Sequence, residues 1–232
     1  MKGRLYGIGV GPGDPELLTL KAARIIGEAK VIAYLVNDEE VSLARNIAAE
    51  FIPDNCLELQ LPVPMRTDRF AANQVYDEGA QRIAGQLDHG HDVVVLCEGD
   101  PLFYASFIYL FERLQSTFKC TVVPGISAIP ATCAQSLLPL TTQLDKYAVV
   151  TARLDSAELR EALLNFDSVA ILKVGRHRER VIQVVREANR AGDAIYAEYV
   201  GQQNEKIIRN LRDVAPGPGP YFSLMLVSRH KS

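Results

Sequence analysis

The sequence predicts two successive α/β domains, the first built on a mostly parallel sheet and the second on a mixed sheet. Three observations predict this. Short apolar runs alternate with segments of helical period along most of the chain, the pattern of strand-helix units. Glycine- and proline-rich turns join a strand to a helix at Gly7–Pro15, Glu98–Tyr104 and Pro124–Ala128. The end of the chain departs from that alternation, because Lys206–Leu211 and Tyr221–Ser228 read as a hairpin pair around Pro216-Gly217-Pro218-Gly219-Pro220. Leu137–Thr142 has neither period and marks the boundary, giving domains 1–137 and 138–232.

Leu5–Ile8 reads as the first buried strand. Behind the following loop, Leu17, Leu18, Leu20, Ala23, Ile25 and Ile26 recur at helical spacing. Asp14 suits the N-cap of that helix and Pro15 its first position. Val31–Val36 gives a second strand, Ser42–Phe51 a helix and Leu57–Leu61 a third strand. The stretch Pro62–Phe70 carries two prolines and two arginines ahead of a helix over Ala72–His89, with Val75, Ile83, Ala84 and Leu87 inward. Val93–Cys97 is the strongest buried strand. A helix over Ala105–Ser116, a strand at Thr121–Val123 and a helix ending near Ser136 follow. The second half carries strands at Tyr147–Thr151, Val169–Val174 and Ala194–Val200, with helices at Ser156–Asn165 and Arg178–Ala191.

Hydrophobic content of 48% and charged content of 23% suit a soluble globular protein. A net charge of -3 gives no reason to expect nucleic acid. No apolar run approaches the ~20 residues needed to span a bilayer, and Met1–Leu5 enters the first strand at once, leaving no room for a signal peptide. Cys56, Cys97, Cys120 and Cys133 are widely spaced without a C-x-x-C pair, which favours buried reduced thiols over disulfides or a metal site. The expected compartment is the cytoplasm.

The first loop places main chain at the carboxyl end of a strand, where open α/β sheets bind ligands. It fits a dinucleotide poorly. Read from Gly7, the third glycine of G-x-G-x-x-G is Pro12; read from Gly9, it is Asp14, a carboxylate where a pyrophosphate would dock. Proline also removes an amide donor. Four glycines and two prolines in nine residues exceed what a turn needs, so a ligand without phosphate is the better match.

Three loops together resemble the tetrapyrrole methylase family, which uses S-adenosylmethionine. Gly9-Val10-Gly11-Pro12-Gly13-Asp14-Pro15-Glu16-Leu17-Leu18-Thr19 is similar to its opening motif, Glu98-Gly99-Asp100-Pro101 to its second and Val123-Pro124-Gly125-Ile126-Ser127-Ala128 to its third. Leu138-Pro139-Leu140-Thr141 fits its segment between domains. Leu96–Tyr104, Tyr109–Leu114, Lys173–His177 and Pro220–Ser223 are closest to the branch that methylates C20 of precorrin-2 in corrin synthesis. Uroporphyrinogen-III methylases carry an Asp after the Tyr that ends the second strand; here Leu35 follows Tyr34.

The resemblance implies a class III-type methyltransferase fold, with the cofactor in a cleft between the domains, no metal, and a homodimer. It implies conversion of precorrin-2 to precorrin-3A, with the cobalt-bearing substrate of the anaerobic route as the nearest rival. A nicotinamide oxidoreductase and a non-catalytic nucleotide- or tetrapyrrole-binding module are the rivals from other classes. By the same resemblance Pro12, Gly99, Asp100, Phe103, Ser127 and Ala128 line the cofactor, with Val174 and Gly201 matching more loosely. The substrate's eight carboxylates call for cations, and Arg66 with Arg69, or Arg176, Arg178 and Arg180, are the candidates. Glu98 or Tyr104 would accept the proton released from C20.

Overall fold

The computed structural model describes residues 1–63 and 69–230, with the backbone alone over 69–72. The chain divides into two compact units, Met1–Ser127 and Ala128–Ser232. The first contains β1 (Leu5–Gly9), α1 (Leu20–Gly27), β2 (Val31–Val36), α2 (Leu43–Ile47), β3 (Leu57–Pro62), α3 (Arg69–Asp88), β4 (Val93–Cys97), α4 (Phe107–Leu114) and β5 (Cys120–Val123). Its strands lie in the order β3-β2-β4-β1-β5, every pairing parallel.

Period-two alternation sorts β4 between two cores. Val93 and Val95 pack with Ile83 and Leu87 of α3 and Phe107 and Leu110 of α4. Val94 and Leu96 pack with Ala22 and Ile26 of α1 and Ala44 and Ile47 of α2. Helices therefore cover both faces, which is why β2 and β4 are apolar along their whole length. Gly7 is small because the Phe107 ring occupies the place of its missing Cβ. The Arg45 guanidinium grips Glu58 through both carboxylate oxygens, at 3.1 and 3.0 Å, and holds that carboxyl below its ordinary pKa. Tyr34 Oη donates to the same Glu58 at 2.6 Å, tying α2 to β2 and β3.

The second unit contains α5 (Ala128–Ser136), β6 (Tyr147–Thr151), α6 (Ser156–Asn165), β7 (Ser168–Leu172), α7 (Arg178–Glu187), β8 (Ala194–Glu198), β9 (Lys206–Ile208) and β10 (Ser223–Ser228). The order is β6-β7-β10-β8-β9, with only β6 and β7 parallel, so the sheet is mixed. Leu159 and Leu163 of α6 and Val181, Val184 and Val185 of α7 pack on Val169, Ile171, Tyr196, Met225 and Val227. Helix α5 packs against β9 and β10.

Several expectations change. Lys206–Leu211 and Tyr221–Ser228 do not form a hairpin: β8 lies between β9 and β10, and β10 is a buried central strand paired to β7 and β8. The first helix is broken. Asp14 caps a separate 3-10 turn, Pro15–Leu17, and the α-helix restarts at Leu20 with Thr19 Oγ1 accepting from Ala22 N–H at 3.1 Å. The restart shifts the helical phase, so Leu20 is 92% exposed and Ala22 and Ile26 face the core. By contacts the units divide before α5, whereas the aperiodic Leu137–Thr142 stretch follows it. Of the four free cysteines only Cys97 is fully buried, its thiol pushed up to about 12 by that burial.

Arg178 is a buried charge of the second unit. Its Nη1 donates to Glu198 Oε1 at 3.1 Å, Nε to the Gly217 carbonyl at 2.9 Å and Nη2 to the Pro216 carbonyl at 3.1 Å. The guanidinium also lies 5.7 Å from the centre of the Tyr196 ring. Glu198→Ala should strip a buried cation of its partner and destabilise the protein by about 3–5 kcal/mol. The chain has no tryptophan, so urea unfolding followed by far-ultraviolet circular dichroism is the suitable measurement. A loss below about 1 kcal/mol would contradict the assignment.

Candidate functional site

The connection leaving β1 heads toward β2 and that leaving β4 heads toward β5, so the two segments pass each other beyond the sheet. They do so at Gly11 and Gly99, joined as an isolated antiparallel bridge. Gly99 N–H donates to the Gly11 carbonyl at 2.8 Å and Gly11 N–H to the Gly99 carbonyl at 3.4 Å. Both glycines are left-handed, at φ 83° and 65°, a conformation that L side chains resist. The loop after β5 closes on the same place. A Cβ on Gly9 would lie 2.5 Å from the Gly125 nitrogen and 2.5 Å from the Gly99 oxygen. A Cβ on Gly125 would overlap the Gly99 oxygen and come within 2.8 Å of the Gly9 carbonyl carbon.

Asp100 completes the junction. Its Oδ1 accepts from Leu102 N–H at 2.9 Å and its Oδ2 from Gly125 N–H at 3.2 Å, tying the second loop to the third. Each oxygen keeps a lone pair for a ligand, but the carboxylate is first a structural tie. Asp14, which spoils a phosphate site, turns its Oδ1 onto Glu16 N–H at 2.9 Å. Pro12 is buried between Gly11 and Gly13. Ser127 ends the first unit, half-buried, and Ala128 is the first residue of α5.

The second loop exposes Leu102, Phe103 and Tyr104. The two aromatic rings meet edge to face with centroids 5.1 Å apart. Tyr104 sits at φ 55°, an unusual conformation for a bulky residue. Glu98 differs from both neighbours. Although its surface is only half-buried, dense packing around its carboxyl raises the pKa above the ordinary 4.5. Main-chain groups of Glu98 itself and of Ala44 oppose the rise, which puts the carboxyl beside the start of α2.

In the second unit, Val174 is packed in the core, its N–H facing the Ser223 carbonyl at 3.3 Å and its carbonyl accepting from His177 N–H at 2.7 Å. Its side chain is therefore unavailable to a ligand. Gly201 is left-handed at φ 78°, with its N–H on Glu205 Oε2 at 2.7 Å. Beside it, Gln202 Nε2 is buried with no acceptor among the described residues. Arg178 is occupied by its buried network, which removes it as a substrate contact. Arg176 is exposed, and Arg180 is held by the Ala152 carbonyl and by Ser156 Oγ at 3.4 Å. Arg66 and the Arg69 side chain lie outside the described residues.

Sequence comparison decides the family. Residues 4–215 match the model for tetrapyrrole (corrin/porphyrin) methylases. The chain belongs to that family. This methylase is 36% identical over 234 residues to the cobalamin biosynthesis protein CobIJ of Mycobacterium tuberculosis, covering 97% of the chain but only 46% of that relative. It thus spans about half the length of the first relatives it matches. It is 34% identical to the precorrin-2 C(20)-methyltransferase of a Sinorhizobium species, covering 97% of this chain and 95% of the other. It is 28% identical to the cobalt-precorrin-2 C(20)-methyltransferase of Salmonella typhimurium, covering 99% and 98%. The fold is that of the cobalt precorrin-4 methyltransferase CbiF, with a TM-score of 0.74 at 20% identity over 99% of this chain and 96% of that one. It is also that of a Thermus thermophilus uroporphyrin-III C-methyltransferase complexed with S-adenosylhomocysteine, with a TM-score of 0.66 at 21% identity over 98% of each chain.

The methylase motifs thus coincide with the loops that the glycines lock together. Gly125→Ala should force the loops apart and destabilise the first unit by about 1–3 kcal/mol. Gly217→Ala, with open space around its Cβ but φ 80°, should cost about 1–2 kcal/mol from backbone strain alone. Thermal unfolding of the pair checks the order, and equal losses would refute the close-packing account.

Glu98 gives a pH signature. Its folded pKa is raised, so native protein binds the proton more tightly, and the penalty of a buried carboxylate is absent below 4.5 and appears as pH rises through the folded value. Glu98→Gln removes that penalty. Its stability relative to the parent should be higher at about pH 8 than at about pH 4; a pH-independent difference in urea titrations would show that burial does not raise this carboxyl.

Proposed function

We propose that this methylase transfers a methyl group from S-adenosylmethionine to C20 of precorrin-2, giving precorrin-3A. The observation that carries the reading is the junction of Gly9, Gly99 and Gly125, where the three family motifs meet in main-chain contact at one sheet edge. The near full-length likeness to a precorrin-2 C(20)-methyltransferase supports the substrate.

A buried amide in the second unit supports a bound cofactor. An amide nitrogen sealed without an acceptor costs about 1–3 kcal/mol, so Gln202 Nε2 beside Gly201 favours a ligand that accepts a hydrogen bond there. The main chain at Gly99, Ser127 and Ala128 would hold the cofactor in the first loops, with Asp100 offering its remaining lone pairs. The bound cofactor supplies an activated methyl group with its leaving group attached. The chain's own task is orientation, which can contribute about 7–11 kcal/mol to such a reaction. Leu102, Phe103 and Tyr104 offer an apolar ledge to the face of a macrocycle. Glu98 is the candidate proton acceptor at the end of β4, because a raised carboxyl pKa moves toward the range where general bases work. Its relatives' biosynthetic role supports a cytoplasmic setting, and the family resemblance supports a homodimer.

Incubation with precorrin-2 and S-adenosylmethionine should give a product one methyl heavier and modified at C20, by mass spectrometry and NMR. Parallel incubation with the cobalt-bearing substrate separates the two C20 reactions, and turnover of that substrate alone would replace precorrin-2. Calorimetry should detect binding of S-adenosylhomocysteine and none of NAD; the reverse would end the methylase assignment. An unchanged turnover rate in Glu98→Gln would remove Glu98 as the proton acceptor.

A further inference from the structure

Strands β6 and β7 run parallel with Thr151 opposite Leu172, so the residues after each leave the sheet at one edge. Arg153 follows β6 and Lys173 follows β7 directly. The next turn, Gly175–His177, contributes Arg176 and His177, and the first turn of α7 contributes Arg180. Contacts gather these groups. Arg176 Nε donates to His177 Nε2 at 3.3 Å, while Arg180 reaches back to the Ala152 carbonyl, next to Arg153 in the chain.

Arg153, Arg176 and Arg180 form no ion pair among the described residues. The acids from the surrounding elements are engaged elsewhere. Asp155 and Glu158 form the capping box of α6. Glu179 accepts from Gly217 N–H at 2.7 Å, and Glu198 belongs to Arg178. The crowding is felt electrostatically: burial first and Arg153 second lower the Lys173 pKa. Burial again leads at His177, followed by Arg176, Arg180 and Arg153.

A run of arginines is ordinarily a solvated face, and two features separate this one from that case. Cations at the start of α7 have the wrong sign for the helix dipole, an arrangement that a bound anion reverses. Lys173 is also half-buried in a left-handed conformation at φ 58°, a strain that persists where surroundings dictate it and that clusters at ligand sites.

We infer that Arg153, Lys173, Arg176 and Arg180 form a carboxylate-binding subsite at the carboxyl edge of β6 and β7, taking the acid side arms of the tetrapyrrole. The source of the carboxylates rests on the methylase reading; the anion subsite itself does not. The cofactor's amino-acid group offers the same chemistry, but one carboxylate can engage only one or two of these cations, whereas a macrocycle rimmed with acids matches several. Planar guanidinium forks suit that rim.

The test uses the full chain with Arg153→Gln and Arg176→Gln combined, both at exposed positions, after far-ultraviolet circular dichroism has established that the fold is intact. Uroporphyrin and coproporphyrin, which has half as many acid groups, serve as probes by fluorescence quenching, with S-adenosylhomocysteine measured by calorimetry. The parent should bind uroporphyrin more tightly than coproporphyrin. The double variant should lose about two- to thirtyfold in uroporphyrin affinity at low salt, as two ion contacts of ordinary strength would give. Its affinity for S-adenosylhomocysteine should stay within about twofold. Unchanged uroporphyrin binding in the variant, no porphyrin binding by the parent, or a loss confined to S-adenosylhomocysteine would each overturn the inference. Because porphyrin binding is read without turnover, failure of the methylation assay leaves this test standing.

Discussion

The first unit depends on three backbones meeting where no side chain has room. Gly9, Gly99 and Gly125 approach within the volume of a single Cβ. The approach is obligatory because the segments leaving β1 and β4 run past each other in opposite directions, one to β2 and the other to β5. Close contact between main chains also leaves peptide groups, rather than flexible side chains, as the fixed features of the site. A site made this way loses little entropy when a ligand arrives, which is what orientation-based catalysis requires. Asp100 reinforces the same geometry by bridging two of the loops with its two oxygens.

The arginines of α7 show how position sorts chemically identical groups. Arg178 falls on the stripe that includes Val181, Ile182 and Val185, all buried, so its guanidinium must find partners inside the protein. It finds Glu198 and the carbonyls of Pro216 and Gly217, and so clamps the proline-glycine loop to the helix. Gly219 lies against Tyr196 Oη and the Arg178 side chain, where any Cβ would collide. Arg176 precedes the stripe and stays exposed, available to a ligand. The helical period places Arg178 on the apolar side of its own helix, so the distinction was present in the sequence, masked by the neighbouring cations.

Most of the fold was legible for a simple reason: a strand covered on both faces must be apolar throughout, and β2 and β4 advertise this. The same rule explains the failure at β10. Tyr221–Ser228 reads as a hairpin arm from its alternation, yet Ser223 and Ser228 are buried and hydrogen-bonded, Ser223 to Gly175 N–H and Ser228 to Ser168. Polar residues satisfied by partners remote in the chain imitate solvent exposure in a one-dimensional pattern. The break before α1 was hidden because Asp14 and Thr19 are both good caps and only the structure shows that each is used. At the site, glycine spacing revealed the loops but not their mutual contact, and nothing in the residue type of Lys173 signals its left-handed backbone.

In the proposed C20 methylation, removal of a proton from the methylated carbon asks more of the chain than orientation does. Asp14 and Asp100 are already engaged in holding turns and loops together. Both are committed to that structural role. Glu98 stands next to Gly99, beside main-chain groups of its own residue and of Ala44 that favour its charge, but burial outweighs them and makes its carboxyl readier to take a proton. On the proposed reading, the carboxylate whose charge burial disfavours is the one left for proton transfer, and the two that tie turns and loops together are not. If solvent takes the proton instead, Glu98 is a stability cost with no catalytic return, and replacing it would improve the fold without slowing the reaction.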